Sequence, residues 1–594
     1  MRQPKIIIVG GGLAGLMAAI RVAESGVEVE LFSIVPVKRS HSVCAQGGIN
    51  AAKNLKGEGD STFKHFDDTV YGGDFLANQP QVKAMCEAAP AIIDMLDRMG
   101  VMFNRTSEGL LDFRRFGGTL YNRTAFAGAT TGQQLLYALD EQVRRYEAEG
   151  KVKKFEGWTF LSAVIDQGGV CRGICAMDLK SMEVRTFPCD AAIFCTGGVG
   201  SVFGRSTNSV VCTGSAQSAL FLQGADYANG EFIQVHPTAI PGEDKCRLMS
   251  ESARGEGGRV WVPKKQGDIR RAKDIPEAER FYFLEEWYPK YGNLVPRDIA
   301  TRAIHRAVYE LKMGLPGQPA VYLDVTHIPR ETLDRKLEGI LEIYEKFLGV
   351  DPRLEPMKVF PAMHYTMGGM WVDNDHQASS VAGIYGAGEC EYQYHGANRL
   401  GANSLLSCIY GGMVAGPAAI QYARGLENGC ESMPSTLFDN ERTRQNLINE
   451  SLLHQEGTEN PITIWREMGD WMTEHVTVSR YNKNLEKTDQ KLQELLERYK
   501  KINLADRSAW SNQTLSFCRE LYNMLILARV ITLGALARNE SRGAHYKPDF
   551  PERNDAEWLK TTRAKYVNGQ IQLTYEAVDT SALTPRPRRY DAKA

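Results

Sequence analysis

No Cys-x-x-Cys pair occurs among the twelve cysteines of this 594-residue chain; the nearest two are Cys171 and Cys175. That scatter excludes the usual zinc and iron–sulfur ligand sets, so no metal site is expected, and it fits a reducing compartment. Charge of one sign is not in excess either. The 70 Lys and Arg against 72 Asp and Glu leave a net charge of −2. This gives no footprint for nucleic acid or for adsorption to an anionic membrane, so any anion must be bound locally. Long apolar runs are scarce as well. The best, Leu521 to Ala537, is interrupted by Asn523 and Arg529 and falls short of a membrane span, so it reads as a core helix. The first strand begins within a few residues of Met1, which leaves no room for a secretory or transit segment and predicts a cytoplasmic chain. No internal repeat or low-complexity tract is present. What remains is ordinary globular material, 43% hydrophobic and 24% charged, long enough for several domains.

The strongest local pattern stands at the start. Lys5-Ile6-Ile7-Ile8-Val9 is a β-branched run that reads as a buried parallel strand, and it feeds Gly10-Gly11-Gly12-Leu13-Ala14-Gly15 at the mouth of a helix. Gly10 allows a tight turn, Gly12 lets the backbone approach a pyrophosphate, and Gly15 lets the helix lie close to the strand, with Ala14 in the first turn facing the anion. The helix, expected from Leu13 to Ser25, closes at Gly26, and Val27 to Phe32 returns as a second strand. Many such units end that strand in an acid for the ribose; here it ends in Ser33, which predicts a weaker, neutral hydrogen bond. Two later strands also deliver glycines to a ligand edge: Ala191 to Cys195 before Thr196-Gly197-Gly198, and Gly383-Ile384-Tyr385 before Gly386-Ala387-Gly388-Glu389.

Between these units lie residues suited to chemistry. His41 stands in Arg39-Ser40-His41-Ser42-Val43-Cys44-Ala45-Gln46-Gly47-Gly48, where an imidazole would be held against a ligand. Five further segments could hold a small dianion. They are His236-Pro237-Thr238, Ser250-Glu251-Ser252-Ala253-Arg254, Val295-Pro296-Arg297-Asp298, His364-Tyr365-Thr366-Met367-Gly368-Gly369 and His395-Gly396-Ala397-Asn398-Arg399-Leu400-Gly401. Singly, each Arg reads as a salt-bridge partner and each His as a satisfied polar residue. Together and in this order they resemble the flavoprotein subunit of succinate dehydrogenases and fumarate reductases. The resemblance runs from residue 5 to about 408 and resumes at Glu540-Ser541-Arg542-Gly543-Ala544-His545.

The resemblance implies an α/β fold: a Rossmann-like FAD-binding domain of the glutathione and fumarate reductase type, an inserted α+β capping domain and a C-terminal helical domain. The expected boundaries are 1–240 and 356–428 for the FAD-binding domain, 241–355 for the cap, 429–545 for the helical domain and 546–594 for a C-terminal region. The cap would close over substrate and exclude water. After 430 the period turns helical, with Leu485, Leu492, Leu496 and Tyr499 on one face.

Carried over by resemblance, His41 holds FAD covalently, and Ser42, Gln46, Gly47, Gly48, Ser215, Glu389, Ser404 and Leu405 are further FAD contacts. His236, Ser250, His364 and Arg399 would hold the two carboxylates of succinate or fumarate. Arg297 would transfer the proton, reloaded through Glu251 and Arg254. Ser250 stands where relatives commonly have Thr, Ser215 where they have Asp, and Gln46 where some fumarate reductases have Glu. The implied partners are an iron–sulfur subunit and a membrane-anchoring, quinone-reactive subunit. They would make the chain a peripheral protein on the cytoplasmic face of a prokaryotic membrane. Two rival readings are an L-aspartate oxidase, which lacks a histidine at the position of His41, and a non-catalytic electron-transfer flavoprotein, which has no use for a dicarboxylate site.

Overall fold

A computed structural model describes residues 3–242 and 245–590. Ile6–Val9, all four residues buried, is the middle strand of a five-stranded sheet. The order is Ile384–Gly386, Ala191–Phe194, Ile6–Val9, Val29–Ser33, Val152–Glu156, and every neighbouring pair is parallel. Parallel strands need crossovers that cover both faces, which explains why Ile6–Val9 and Ala191–Phe194 are apolar throughout rather than alternating. The first crossover is the Leu13–Glu24 helix, a residue shorter than expected, and the second strand starts at Val29 rather than Val27. Its apolar face packs against the long Ser404–Gly425 helix. There Gly412 and Gly416 let the backbones close in: a Cβ at 412 would lie 2.4 Å from the Ala14 carbonyl oxygen.

A second, six-stranded antiparallel sheet has the order Arg247–Leu248, Ile233–Ile240, Met357–Thr366, Val321–Asp324, Arg259–Pro263, Arg280–Phe281. It runs without interruption across the expected junctions at 240 and 355. Within 279–291 the chain forms the short strand Arg280–Phe281 and one short α-helix, Phe283–Trp287. Their aromatic rings pack on one another.

The helices Pro461–His475, Asn482–Tyr499 and Gln513–Ala537 share one apolar cluster. On the middle helix the buried stripe is Leu485, Leu492, Leu495 and Tyr499; Leu496, assigned to that face from the sequence, is only half-buried. Both leucines lie within reach of the stripe, and packing against the last helix selects the first of them. The Gln513–Ala537 helix is long and apolar enough to cross a membrane by composition, yet Leu521, Met524, Leu525, Ala528 and Ile531 are buried in this cluster.

The chain then returns. The hairpin Lys560–Val567 and Gln570–Ala577 adds to Tyr227–Ala228. The segment 540–545 lies away from any ligand edge, in a fully buried ion network of Glu231, Arg538, Glu540 and Arg542. Its Ala544 N–H donates to the Ala397 carbonyl (2.9 Å) and its Gly543 N–H to Asp74 Oδ2 (2.8 Å). It therefore braces the loop that carries Arg399.

Candidate active site

A cavity of about 570 Å³ opens along the carboxyl edge of the parallel sheet, where open α/β sheets bind their ligands. At one end its wall holds Gly10, Gly12, Ala14, Ser33 and Ser215. Next come His41, Ser42, Gln46, Gly47 and Gly48, with Glu389, Ser404 and Leu405 facing them. Ser250, Glu251, Arg297, His364 and Arg399 close the other end. Three residues assigned to the site from the sequence stand behind this wall: Gly15, His236 and Arg254.

The glycines work by what they leave out. Gly10 has φ +116°, and a Cβ there would sit 2.1 Å from the Cys195 carbonyl oxygen; a Cβ at Gly15 would sit 1.8 Å from the Gly10 oxygen. Gly15 therefore acts from behind, by allowing the helix to approach the strand. Ser33 lines the cavity, but its hydroxyl donates to the Val35 carbonyl (2.6 Å), so only its lone pairs remain for a ligand. Ser215 similarly accepts a bond from Asn523 Nδ2 (2.7 Å). Ser40 Oγ, Gln46 Oε1 and Thr196 Oγ1 are buried with no hydrogen-bond partner among the described residues, although all three residues line the cavity. Buried polar groups are normally paired, so these orphans and the glycine cradle fit a polar dinucleotide such as the expected FAD.

His41 opens a single 3₁₀ turn, His41–Cys44. The Ser209 N–H donates to its Nδ1 (3.1 Å), and Asn208 Nδ2 lies 3.2 Å from its Nε2. Burial, helped by nearby Lys245, pushes the imidazole down to about 4. The ring is therefore neutral at ordinary pH, as a nucleophile or a packing partner for a flavin must be. Glu389 accepts from the Thr366 N–H (3.0 Å), and burial pushes its carboxyl up to about 7.

At the far end Glu251 is the hub. Its Oε1 accepts from Arg254 (2.7 Å), and its Oε2 accepts from Arg297 Nε (3.0 Å) and pairs with Arg297 Nη2 (2.9 Å). Gly117 and Gly401 make room for it: a Cβ at 117 would lie 2.0 Å from Glu251 Oε1. Arg297 is the first residue of the Arg297–His305 helix, after Pro296. The next residue, Asp298, is clamped by Arg588 from the end of the chain. Arg399 donates to Ser404 Oγ (2.8 Å), while its Nε is buried and unpaired. Burial first, and Arg297 second, push this guanidinium down to about 9. Two cations this close are strained unless an anion joins them.

His236 is fully buried, with its ring 5.0 Å from that of His364. Its Nδ1 accepts from the Thr238 N–H (3.2 Å) and its Nε2 has no partner. The acceptor role of Nδ1 puts the proton of the neutral ring on Nε2, where it can be donated. His364 Nδ1 is bonded to the Thr207 hydroxyl (2.7 Å). Both imidazoles are held well below the ordinary histidine range, chiefly by burial and then by Arg297. Ser250 Oγ shares a hydrogen bond with Ser252 Oγ (2.9 Å).

Three residues here were not singled out from the sequence. Gln234 Oε1 accepts from Arg297 (2.9 Å) and from Arg399 (3.1 Å), while Gln234 Nε2 donates to Asn398 Oδ1 and the Arg399 carbonyl. One amide thus spaces both guanidiniums. Thr207 and Asn208 link His41 to His364, since Asn208 also donates to the His364 carbonyl (3.0 Å). The available signal for Gln234 was its place two residues before His236 in one strand. Nothing in the run around Thr207 marks it.

Comparisons with known proteins bear on the family. A model described as an FAD binding domain matches residues 5–405, and one described as fumarate reductase flavoprotein C-term matches 465–590. The succinate dehydrogenase flavoprotein subunit of Bacillus subtilis (strain 168) is 63% identical over 100% of this chain and 99% of its own length. The fumarate reductase flavoprotein subunit of Escherichia coli (strain K12) is 35% identical, over 100% of this chain and 96% of its own. A solved E. coli quinol fumarate reductase chain superposes with a TM-score of 0.91 at 32% identity, covering 100% of both chains. With the FAD-type fold, the glycine cradle and this full-length identity together, the chain belongs to the succinate dehydrogenase and fumarate reductase flavoprotein family.

Proposed function

We propose that this chain is the catalytic flavoprotein subunit that interconverts succinate and fumarate, with FAD attached covalently through His41. The observation that carries the reading is the single cavity in which His41 and the Glu389 edge face His364, Arg399 and Arg297. A pure electron carrier has no need of a cationic end, and a dicarboxylate is the ligand that such an end fits. Bound FAD would supply the two-electron acceptor or donor for the hydride.

The chain's own residues do the rest. Arg399, His364 and the Ser250 hydroxyl hold and orient the two carboxylates, with Arg399 able to offer a charge-assisted fork, while His236 backs the His364 ring from behind the wall. Arg297 donates or accepts the proton on the substrate carbon. A guanidinium is ordinarily too weak an acid for that task, but Glu251 bridges it to Arg254. That chain of charge-assisted bonds can return a proton to Arg297 after each turnover. The ring of cations also stabilises charge that builds on the carboxylate as hydride arrives. Residues 241–355 act as a cap: besides Ser250, Glu251 and Arg297, they bring Ile343 and Phe347 to the cavity wall, where they help exclude water. Electrons leave through an iron–sulfur partner to a quinone-reactive membrane subunit, which keeps this chain peripheral on the cytoplasmic face.

The test uses the native complex. Acid-precipitated, denatured polypeptide should retain yellow flavin fluorescence, and His41→Ala should release it. Succinate oxidation should fall much more than fumarate reduction, because losing the bond lowers the flavin potential. Free flavin from wild-type protein would sink the covalent assignment, and absence of both reactions with quinone analogues would sink the activity.

A further inference from the structure

The cavity wall holds three carboxylates: Glu251, Glu389 and Glu520. The first is held by Arg254 and Arg297 and the second by the Thr366 N–H. Glu520 has no hydrogen-bond or ion-pair partner among the described residues, and burial alone acts on it. The residue is half-buried with its carboxyl open to the cavity, so both oxygens are available to a ligand there.

Its place indicates which part of a ligand that is. Glu520 lies on the Gln513–Ala537 helix, one turn before Asn523, which bonds Ser215. Ser215 and Ala216 share the wall with Ser33, Trp158, Thr159 and Phe160. On the parallel sheet Glu389, bonded to Thr366 two residues after His364, follows the strand on one side of Ile6–Val9, and Ser33 ends the strand on the other, which sets His364 apart from this stretch of wall. It is aromatic rather than cationic: Trp158 stands edge-on to Phe32 with ring centres 6.3 Å apart, and Phe160 edge-on to Phe194 at 4.9 Å. A flat base fits such a wall. In a flavin–adenine dinucleotide that spans both ends, the base here is adenine.

We propose that the Glu520 carboxyl recognises the adenine of the dinucleotide, accepting a hydrogen bond from its exocyclic amine and donating one to ring nitrogen N1. Only the protonated acid can do both. Burial pushes Glu520 up to about 7, so that form is populated near neutral pH. This assignment rests on the FAD reading above.

The test needs exchangeable flavin, so it is made in a His41→Ser background of the full chain. Affinity is read by fluorescence titration with FAD and with flavin purine dinucleotide, whose base keeps ring nitrogen N1 but carries hydrogen in place of the exocyclic amine. The parent should prefer FAD by about tenfold, in the range of a paired base contact. Glu520→Ala should lose about tenfold in FAD affinity and the preference with it. Glu520→Gln, whose amide also accepts and donates, should keep most of both, which separates recognition from damage to the helix. Equal affinity of the parent for the two dinucleotides, or an unchanged preference in Glu520→Ala, overturns the assignment while leaving the FAD reading intact. A parent that binds no FAD overturns both.

Discussion

The dinucleotide end of the cavity is made by backbone and the opposite end by side chains. Gly10 and Gly15 fall within six consecutive residues, and each acts through a missing Cβ. Gln234, Glu251, Arg297, His364 and Arg399 come from five separate segments, and each acts through a hydrogen bond or ion pair to another of them or to a neighbouring side chain. The difference teaches where each end is vulnerable. Adding one methyl should damage the first, whereas removing or moving one charge should damage the second.

The largest effect is expected at Arg297. Arg297→Lys keeps the charge but loses the fork to Gln234 and Glu251, so turnover should fall by roughly 10²–10⁴-fold, the usual worth of a placed acid or base. Malonate binding, followed by spectral titration, should largely survive. Near-normal turnover with a raised KM would make Arg297 a binding residue and move the proton donor elsewhere.

Arg399→Ala should show the reverse split. It removes a direct carboxylate partner, and weakening of malonate or oxaloacetate by about 2–5 kcal/mol is expected from loss of a buried charged contact. Unchanged inhibitor constants would show that the dianion does not sit against Arg399.

At the backbone end, Gly15→Ala puts a methyl where Gly10 O would be 1.8 Å away. Helix and strand must separate, at about 1–3 kcal/mol of stability, read as a lower Tm with faster flavin loss from a His41→Ser background. An unaltered Tm would mean that the helix can shift freely, contrary to its tight packing here.

The smallest effect concerns pH. His236 and His364 are held below the usual histidine value by burial and by Arg297, and a bound dianion would raise both. Binding should therefore take up protons, and dicarboxylate affinity should strengthen as pH falls toward 6, by at most about tenfold per unit for each proton taken up. Calorimetry in buffers of different ionisation enthalpy measures that uptake; a value of zero at pH 6.5 would refute protonation of the imidazoles on binding.

Legibility in the sequence follows the same division. The three strand-to-glycine units are readable because the constraint is local: a β-branched run, then a position that no side chain can occupy. The six-stranded sheet shared across 240 and 355 was not readable, because antiparallel pairing between Ile233–Ile240 and Met357–Thr366 depends on chain brought back from more than a hundred residues away. Leu495 replaced Leu496 on the buried face for a similar reason, since the neighbouring helix makes that choice. Gln234 went unnoticed because a glutamine in a strand has no local signature. Only the arrival of two arginines from other segments makes its carbonyl a spacer.

By itself the sequence determined the parallel-sheet fold, the order of the glycine turns and the residue types available for chemistry. These depend on side-chain volume, β-branching and backbone freedom over a few consecutive positions. The tertiary structure alone decided that His236 stands behind His364, that Glu251 joins Arg254 to Arg297, and that segment 540–545 braces the Arg399 loop. It also decided that Glu520 reaches the cavity wall. Those relations depend on burial and distance between segments that meet only when the chain has folded, and short-range pattern carries no information about either.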